Sequence, residues 1–207
     1  MQQLLDTLPS KEQIQAFPVF QNLPMQQIQV INRLEQCHAL AQELKSHAVL
    51  GFDSESKPTF KVGEVSTGPH LIQLATLDKA YLFQMNDSIW DFLKPIFASR
   101  EQIKVGFGLK NDAHLFRKKG IELNSVIELS KCFKAFGLNN PVGLKNAMAL
   151  LFQVNFPKSK RISTSNWASK KLSPAQIDYA AADAYAPVLV FEELLRRGLL
   201  PKEIPNT

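Results

Sequence analysis

Four acids and one tyrosine interrupt otherwise apolar stretches of this chain. Asp53 closes the run Ala48-Val-Leu-Gly-Phe-Asp53, and Glu55 follows two residues later. If that run is a strand, its period of two puts both carboxylates on one side of a sheet. Two like charges on one face are unfavourable unless something positive lies between them, and a divalent cation is the obvious candidate. A polar strand end running into a loop is the alternative. Asp112 follows Val105-Gly-Phe-Gly-Leu-Lys-Asn111, in the first turn of an expected helix, where a carboxylate also serves as an ordinary helix-start residue. Asp183 lies in Tyr179-Ala-Ala-Ala-Asp183, inside an expected helix whose small residues permit close approach to another element. Tyr179 and Asp183 share one face of that helix.

Together, Asp53, Glu55, Asp112 and Asp183 offer an all-oxygen site suited to Mg²⁺ or Mn²⁺. Two such ions roughly 3.5–4 Å apart can hold a phosphodiester between them, one activating water and the other stabilising the leaving oxygen. A phenol such as that of Tyr179 could then hydrogen-bond the water and orient it.

The elements that must position these groups follow from pattern. Ile28–Ile31 reads as a strand, and Asn32 with Glu35 as the capping box of a helix carrying Leu34, Cys37, Leu40, Ala41 and Leu44 on its apolar face. Ala48–Asp53 is a buried strand. Leu71–Leu74 and Ala80–Phe83 are strands around a hairpin-like Leu77-Asp78-Lys79. A helical pattern starts at Ile89 despite Pro95, and Ile103–Phe107 returns to strand. Asn111 is expected to cap a helix over Asp112–Lys119 that Gly120 ends. Ser125–Leu129 is ambiguous between strand and helix start, whereas Lys131–Phe136 and Leu144–Phe152 read as helices. Ser173 followed by Pro174 is a strong helix start, and that helix should run to about Arg197 before Gly198. Residues 1–27, rich in Gln and Pro, read as a lead-in segment, and 28–207 as the functional domain. The fold class is therefore α/β, a mixed central sheet flanked by helices.

The chain has 207 residues, of which 45% are hydrophobic, enough for one well-packed domain. No stretch approaches 18 consecutive apolar residues, which leaves out a membrane-spanning helix. Met1–Asp6 carries no basic region ahead of an apolar run. Cys37 and Cys132 cannot form a disulfide scaffold, and the four histidines form no zinc pattern. The expected setting is the reducing cytoplasm. The net charge of +5 is unevenly placed. Residues 1–109 hold nine Lys and Arg against eleven acids, whereas residues 110–207 hold fifteen against eight. The surplus gathers in Arg117-Lys118-Lys119, Lys158–Arg161, Lys170-Lys171 and Arg196-Arg197. It suits either a polyanionic partner or a solvated basic face.

Three segments, in order, resemble the exonuclease family with the ribonuclease H-like, DnaQ-like fold, in its tyrosine-containing (DEDDy) branch. They are Gly51-Phe-Asp53-Ser-Glu55 with Leu71-Ile-Gln-Leu-Ala-Thr76, then Val105-Gly-Phe-Gly-Leu-Lys-Asn-Asp112, then Ser165-Asn-Trp167 with Leu172–Tyr185. The likeness covers roughly residues 28–197. Within the family it is most similar to the branch of the Werner syndrome protein's exonuclease domain, and more distantly to ribonuclease D. The histidine branch places its His where this chain has Asp178. The resemblance implies 3′-5′ exonuclease activity with two Mg²⁺ or Mn²⁺ ions per site and release of nucleoside 5′-monophosphates. By it, Asp53 would bridge both ions, Glu55 and Asp183 would complete the site of the nucleophile's metal, and Asp112 would serve the second metal, chiefly through water. Tyr179 would orient the nucleophile. It further implies that Phe52, Ser54 and Leu74 line the terminal-nucleotide pocket, that Asn111 supports it, and that Lys160, Ser165 and Trp167 border it.

The expected partner is nucleic acid with a free 3′ end and no membrane, with DNA placed ahead of RNA by the resemblance. An RNA-processing exoribonuclease is the enzymatic alternative. A nucleic-acid-binding module without catalysis is the alternative from another class, and a purely structural interaction protein ranks last.

Overall fold

The computed structural model describes residues 7–59 and 67–201, without the side chain of Asn111. Its first described helix, α1 (Lys11–Ala16), is held by a capping box in which Ser10 and Gln13 bond each other's backbone N–H. From there the chain runs along the body. Phe20 N–H donates to the Asn155 carbonyl, and the Phe20 ring lies 5.1 Å from that of Phe156. Leu23 is buried against the α7 side of the core.

β1 (Ile28–Ile31) leads into α2 (Leu34–Ser46). The helix starts one residue later than the Asn32 cap implies: Arg33 holds the cap position, and the Gln36 side chain accepts from the N–H groups of Asn32 and Arg33. Next come β2 (Val49–Glu55), β3 (Leu71–Ala75), β4 (Ala80–Gln84), α3 (Asp87–Ala98) and β5 (Ile103–Gly106). α4 (Lys110–Lys118) begins before the expected Asp112, so Asn111 lies inside the helix rather than capping it. β6 (Val126–Glu128) resolves the ambiguous 125–129 segment as strand. The helix expected over Lys131–Phe136 is two short 3₁₀ turns, Leu129–Lys131 and Lys134–Phe136, the second closed by Gly137 in the left-handed region. α5 (Leu144–Phe152), α6 (Lys160–Ser163) and α7 (Pro174–Arg196) complete the order. α7 carries the expected Ser173 cap, with Ser173 Oγ accepting from the Gln176 N–H and Pro174 in the first turn.

Among the described residues the strands form one mixed sheet in the order β1-β4-β3-β2-β5-β6. β2, β3 and β4 run antiparallel in sequence, whereas β1, β5 and β6 pair parallel to their neighbours. Helices cover both faces. On one, Leu50, Phe52, Ile72, Leu74 and Phe83 pack with α2, α3 and Phe116 of α4. On the other, Leu71, Ala75 and Leu82 meet Ala180, Ala181, Ala184 and Val188 of α7, and Val105 meets α5 and the far half of α7.

α7 can lie this close because Gly51 of β2 has no side chain. A Cβ there would run into the Ala184 carbonyl and come within 2.6 Å of a Val188 methyl. The alanines of α7 and Gly51 thus set the distance between the strand and the helix that carry the acids.

Candidate active site

β2 is longer than its parallel neighbour. β5 pairs with β2 over Val49–Gly51 and then ends at Gly106, so the carboxyl end of β2 overhangs a gap. This is where the acids collect. Asp53 and Glu55 project from β2 toward α7, as the strand period requires, and Asp183 meets them from α7. Ligand oxygens of Asp53, Glu55 and Asp183 all lie within 4.8 Å of one another. Asp183 is buried, and Asp53 and Glu55 are partly so.

Three carboxylates so placed resist ionisation. Burial, then the charges of Asp183, Asp112 and Glu55, raise Asp53 well above the usual carboxylate range. Burial and the Asp183 charge push Glu55 up to about 8. Asp183 is raised by burial against the opposing pull of Lys158. The Lys158 ammonium lies 2.8 Å from Asp183 Oδ1 and 5.7 Å from the centre of the Tyr179 ring. It eases the negative charge on Asp53 and Glu55 as well. One cation thus sits beside the cluster already, and hard oxygen donors gathered with excess negative charge suit a divalent ion.

Asp112 approaches from the other layer. It lies in the first turn of α4, past the end of β5, and its Oδ1 accepts from Ser54 Oγ. Ser54 is the residue between the two β2 acids and faces away from them, so it ties the helix to the strand. Asp112 is outside the group of three but close enough for its charge to raise Asp53 and Glu55. The α4 entry is itself fixed by Glu128, whose two carboxylate oxygens accept from the N–H groups of Gly108 and Leu109 at 3.0 and 2.8 Å. Tyr179 stands one turn before Asp183. Burial and the surrounding carboxylates, Asp183 first among them, raise its phenol above the ordinary value.

The substrate-contact expectations fare differently. Phe52 and Leu74 pair across β2 and β3 on the face opposite Asp53 and are fully buried, with the Phe52 ring edge-on to Phe97 and Phe116. Strand alternation thus makes their side chains core rather than nucleotide-pocket lining. Ser54 holds Asp112. Ser165 Oγ accepts from Gln176 Nε2 at 2.9 Å. Trp167 is buried, donates its indole N–H to the Ser163 carbonyl at 3.1 Å, and places its ring 6.1 Å from that of Tyr179. Lys160 is exposed at the start of α6. The side chain of Asn111 lies outside the described residues.

Two residues near the acids escaped the sequence reading. Lys158 stood out merely as part of a basic cluster. Gln73 is paired with Asp53 across β2 and β3 and shares its face. It is fully buried, and neither polar atom of its side chain has a partner among the described residues. Its position inside an apolar strand, Leu71-Ile-Gln-Leu-Ala75, was the available signal.

Residues 28–198 match the family described as 3′-5′ exonuclease. The chain belongs to that family. It is 30% identical over 169 residues to the mouse bifunctional 3′-5′ exonuclease/ATP-dependent helicase WRN, a match that covers 77% of this chain and 12% of that one. Two further curated relatives, from a fruit fly and a mosquito, match at similar identity, and the chain spans about a third or less of each. Its fold is shared with the Nibbler EXO domain of Aedes aegypti, at a TM-score of 0.72 and 23% identity over 88% of this chain and 95% of that one. It is shared too with Trypanosoma brucei RNase D in complex with RNA U12, at 0.71 and 17% over 94% and 66%. The acidic cluster is of the DEDDy type and fits a two-metal-ion phosphodiester hydrolase. No helix among the described residues is long and apolar enough to cross a membrane.

Proposed function

We propose that the chain is a metal-dependent exonuclease that removes nucleoside 5′-monophosphates from the 3′ end of RNA. The observation that carries the reading is the convergence of Asp53, Glu55 and Asp183 within 4.8 Å, with Tyr179 one turn before Asp183 and Asp112 brought alongside by Ser54. Asp53, Glu55 and Asp183 would hold one divalent ion, and Asp53 with Asp112 a second. Two ions there would supply a water-derived nucleophile at neutral pH and stabilise the departing 3′ oxygen.

The chain's own residues set the geometry. Gly51 and the alanines of α7 bring Asp183 to β2. Ser54 fixes the carboxylate of Asp112. Tyr179, kept protonated by burial and by the carboxylates around it, is a hydrogen-bond donor to the attacking water rather than its base. Lys158, half exposed beside Asp183, is placed to move from that carboxylate to a substrate phosphate.

RNA is placed ahead of DNA because a neighbour of this fold, Trypanosoma brucei RNase D, is solved in complex with RNA. DNA is the second reading, favoured by the 30% identity to the mouse exonuclease/helicase. The test uses matched 5′-labelled RNA and DNA, single-stranded or with a recessed 3′ end, in Mg²⁺, Mn²⁺ or chelator. Shortening of RNA from its 3′ end, lost in chelator and in Asp53→Ala, is expected. Faster shortening of DNA would move the substrate to DNA, and folded protein that cleaves neither would leave a binding module.

A further inference from the structure

A cavity of about 630 Å³ opens beside the acidic site, between the β1–α2 turn, the facing ends of β3 and β4, and residues 167–170. Its volume is of the size that ligand clefts have. Two of its walls adjoin the acids. His70 lies at one, and its N–H donates to the carbonyl of Glu55 at 2.9 Å. Trp167, next to Tyr179, lies at the other. Arg33 and Lys170 stand at the rim, both exposed and neither in an ion pair with any described residue. No acidic residue among the described residues lines the cavity. Gln84 stiffens this side by donating to the Ser169 carbonyl at 2.8 Å.

The basic clusters of the second half divide accordingly. Arg196 and Arg197 both pair with Glu193 on α7. Lys158 pairs with Asp183 inside the acidic site. Lys170 is a cation of the same half that faces a cavity instead, and Arg33, from the acidic half of the chain, joins it there. A groove lined by cations beside a site for a 3′ terminus is how a protein tracks a polynucleotide backbone without reading sequence.

We propose that this cavity holds the phosphate backbone of the substrate strand upstream of its 3′-terminal nucleotide, with Arg33 and Lys170 each contacting a phosphate. The proposal rests on the exonuclease reading for the location of the 3′ end. It makes the site favour longer strands over dinucleotides.

The test compares wild type with the Arg33→Gln/Lys170→Gln double variant on a 12-nucleotide RNA and a dinucleotide of the same 3′ sequence. The ratio of kcat/KM for the longer to the shorter substrate should fall about tenfold at 0.1 M salt, because two phosphate contacts are lost. Fluorescence anisotropy of the labelled 12-mer, in chelator over a salt series, should show the log–log slope of affinity reduced by about 1.4, at about 0.7 per contact. Arg33→Lys/Lys170→Arg should restore both, and Lys94→Gln, a charge on α3 paired with Asp91, should alter neither. An unchanged ratio and slope in the double variant would overturn the proposal. If the wild type cleaved neither substrate, the exonuclease reading would fail, whereas the salt slope would still decide for or against the cavity.

Discussion

Asp53→Asn should stabilise the metal-free protein while abolishing its activity. The oxygens of Asp53, Glu55 and Asp183 lie within 4.8 Å of one another, where two full charges repel by about 3.5 kcal/mol at an effective dielectric constant of about 20. Retained protons relieve part of this, since Asp53 is raised well above the usual range and Glu55 to about 8. Lys158 takes up a further share at Asp183. A gain of about 2 kcal/mol at pH 8 is therefore expected, which is a rise in Tm of about 4–8 °C for a domain this size. The pH dependence has a definite sign. A carboxyl that keeps its proton to higher pH when folded gives stability that is full below its unfolded pKa, about 4.3 for Glu, and lost as pH rises toward the folded value, about 8 for Glu55. In chelator the wild type should lose stability between pH 5 and 8, the variant should lose less, and the gap should widen with pH. Differential scanning calorimetry at pH 5.5 and 8 measures it, and added Mn²⁺ should then raise the Tm of wild type far more than that of the variant. The reasoning fails if Asp53→Asn is no more stable than wild type at pH 8 in chelator, or if Mn²⁺ stabilises both equally.

Gly51→Ala forces a methyl against the Ala184 carbonyl and Val188; it should cost about 1–3 kcal/mol in chemical denaturation and lower activity by pushing Asp183 from β2. Ser54→Ala leaves the Asp112 carboxylate without its hydroxyl donor, and titration calorimetry should show metal affinity down about 10–100-fold at the second site. Lys158→Met removes the cation that competes for Asp183; Mn²⁺ should bind about tenfold more tightly, a change of about 1.4 kcal/mol, while the Tm in chelator falls.

Much of this site was legible because its residues obey local rules. Asp53 and Glu55 share a face through strand period alone, and Tyr179 and Asp183 are joined by one turn of a helix that Ser173 and Pro174 announce. The mixed α/β architecture followed from the order of elements. What escaped depends on pairing across long stretches of chain. Nothing local says that Phe52 and Leu74 pair on the core face, or that Gln73 stands opposite Asp53. The short loop before α6 gives no sign that Lys158, among several lysines, reaches Asp183, 25 residues later in the chain. The Asp112–Ser54 bond joins two layers 58 residues apart. Helix starts also shifted by a residue or two, at Arg33 and Leu109, because backbone N–H groups there found partners in Gln36 and Glu128 rather than in the asparagines.

The most direct test of the central claim is the identity of the first product. An RNA oligonucleotide labelled in its 3′-terminal nucleotide, incubated with the protein and Mn²⁺ and followed by mass spectrometry, should release that nucleotide first as a nucleoside 5′-monophosphate. The product should be absent in chelator and with Asp53→Ala. A labelled nucleoside 3′-phosphate, internal fragments ahead of the terminal nucleotide, or the same product from the Asp53→Ala protein would contradict the account.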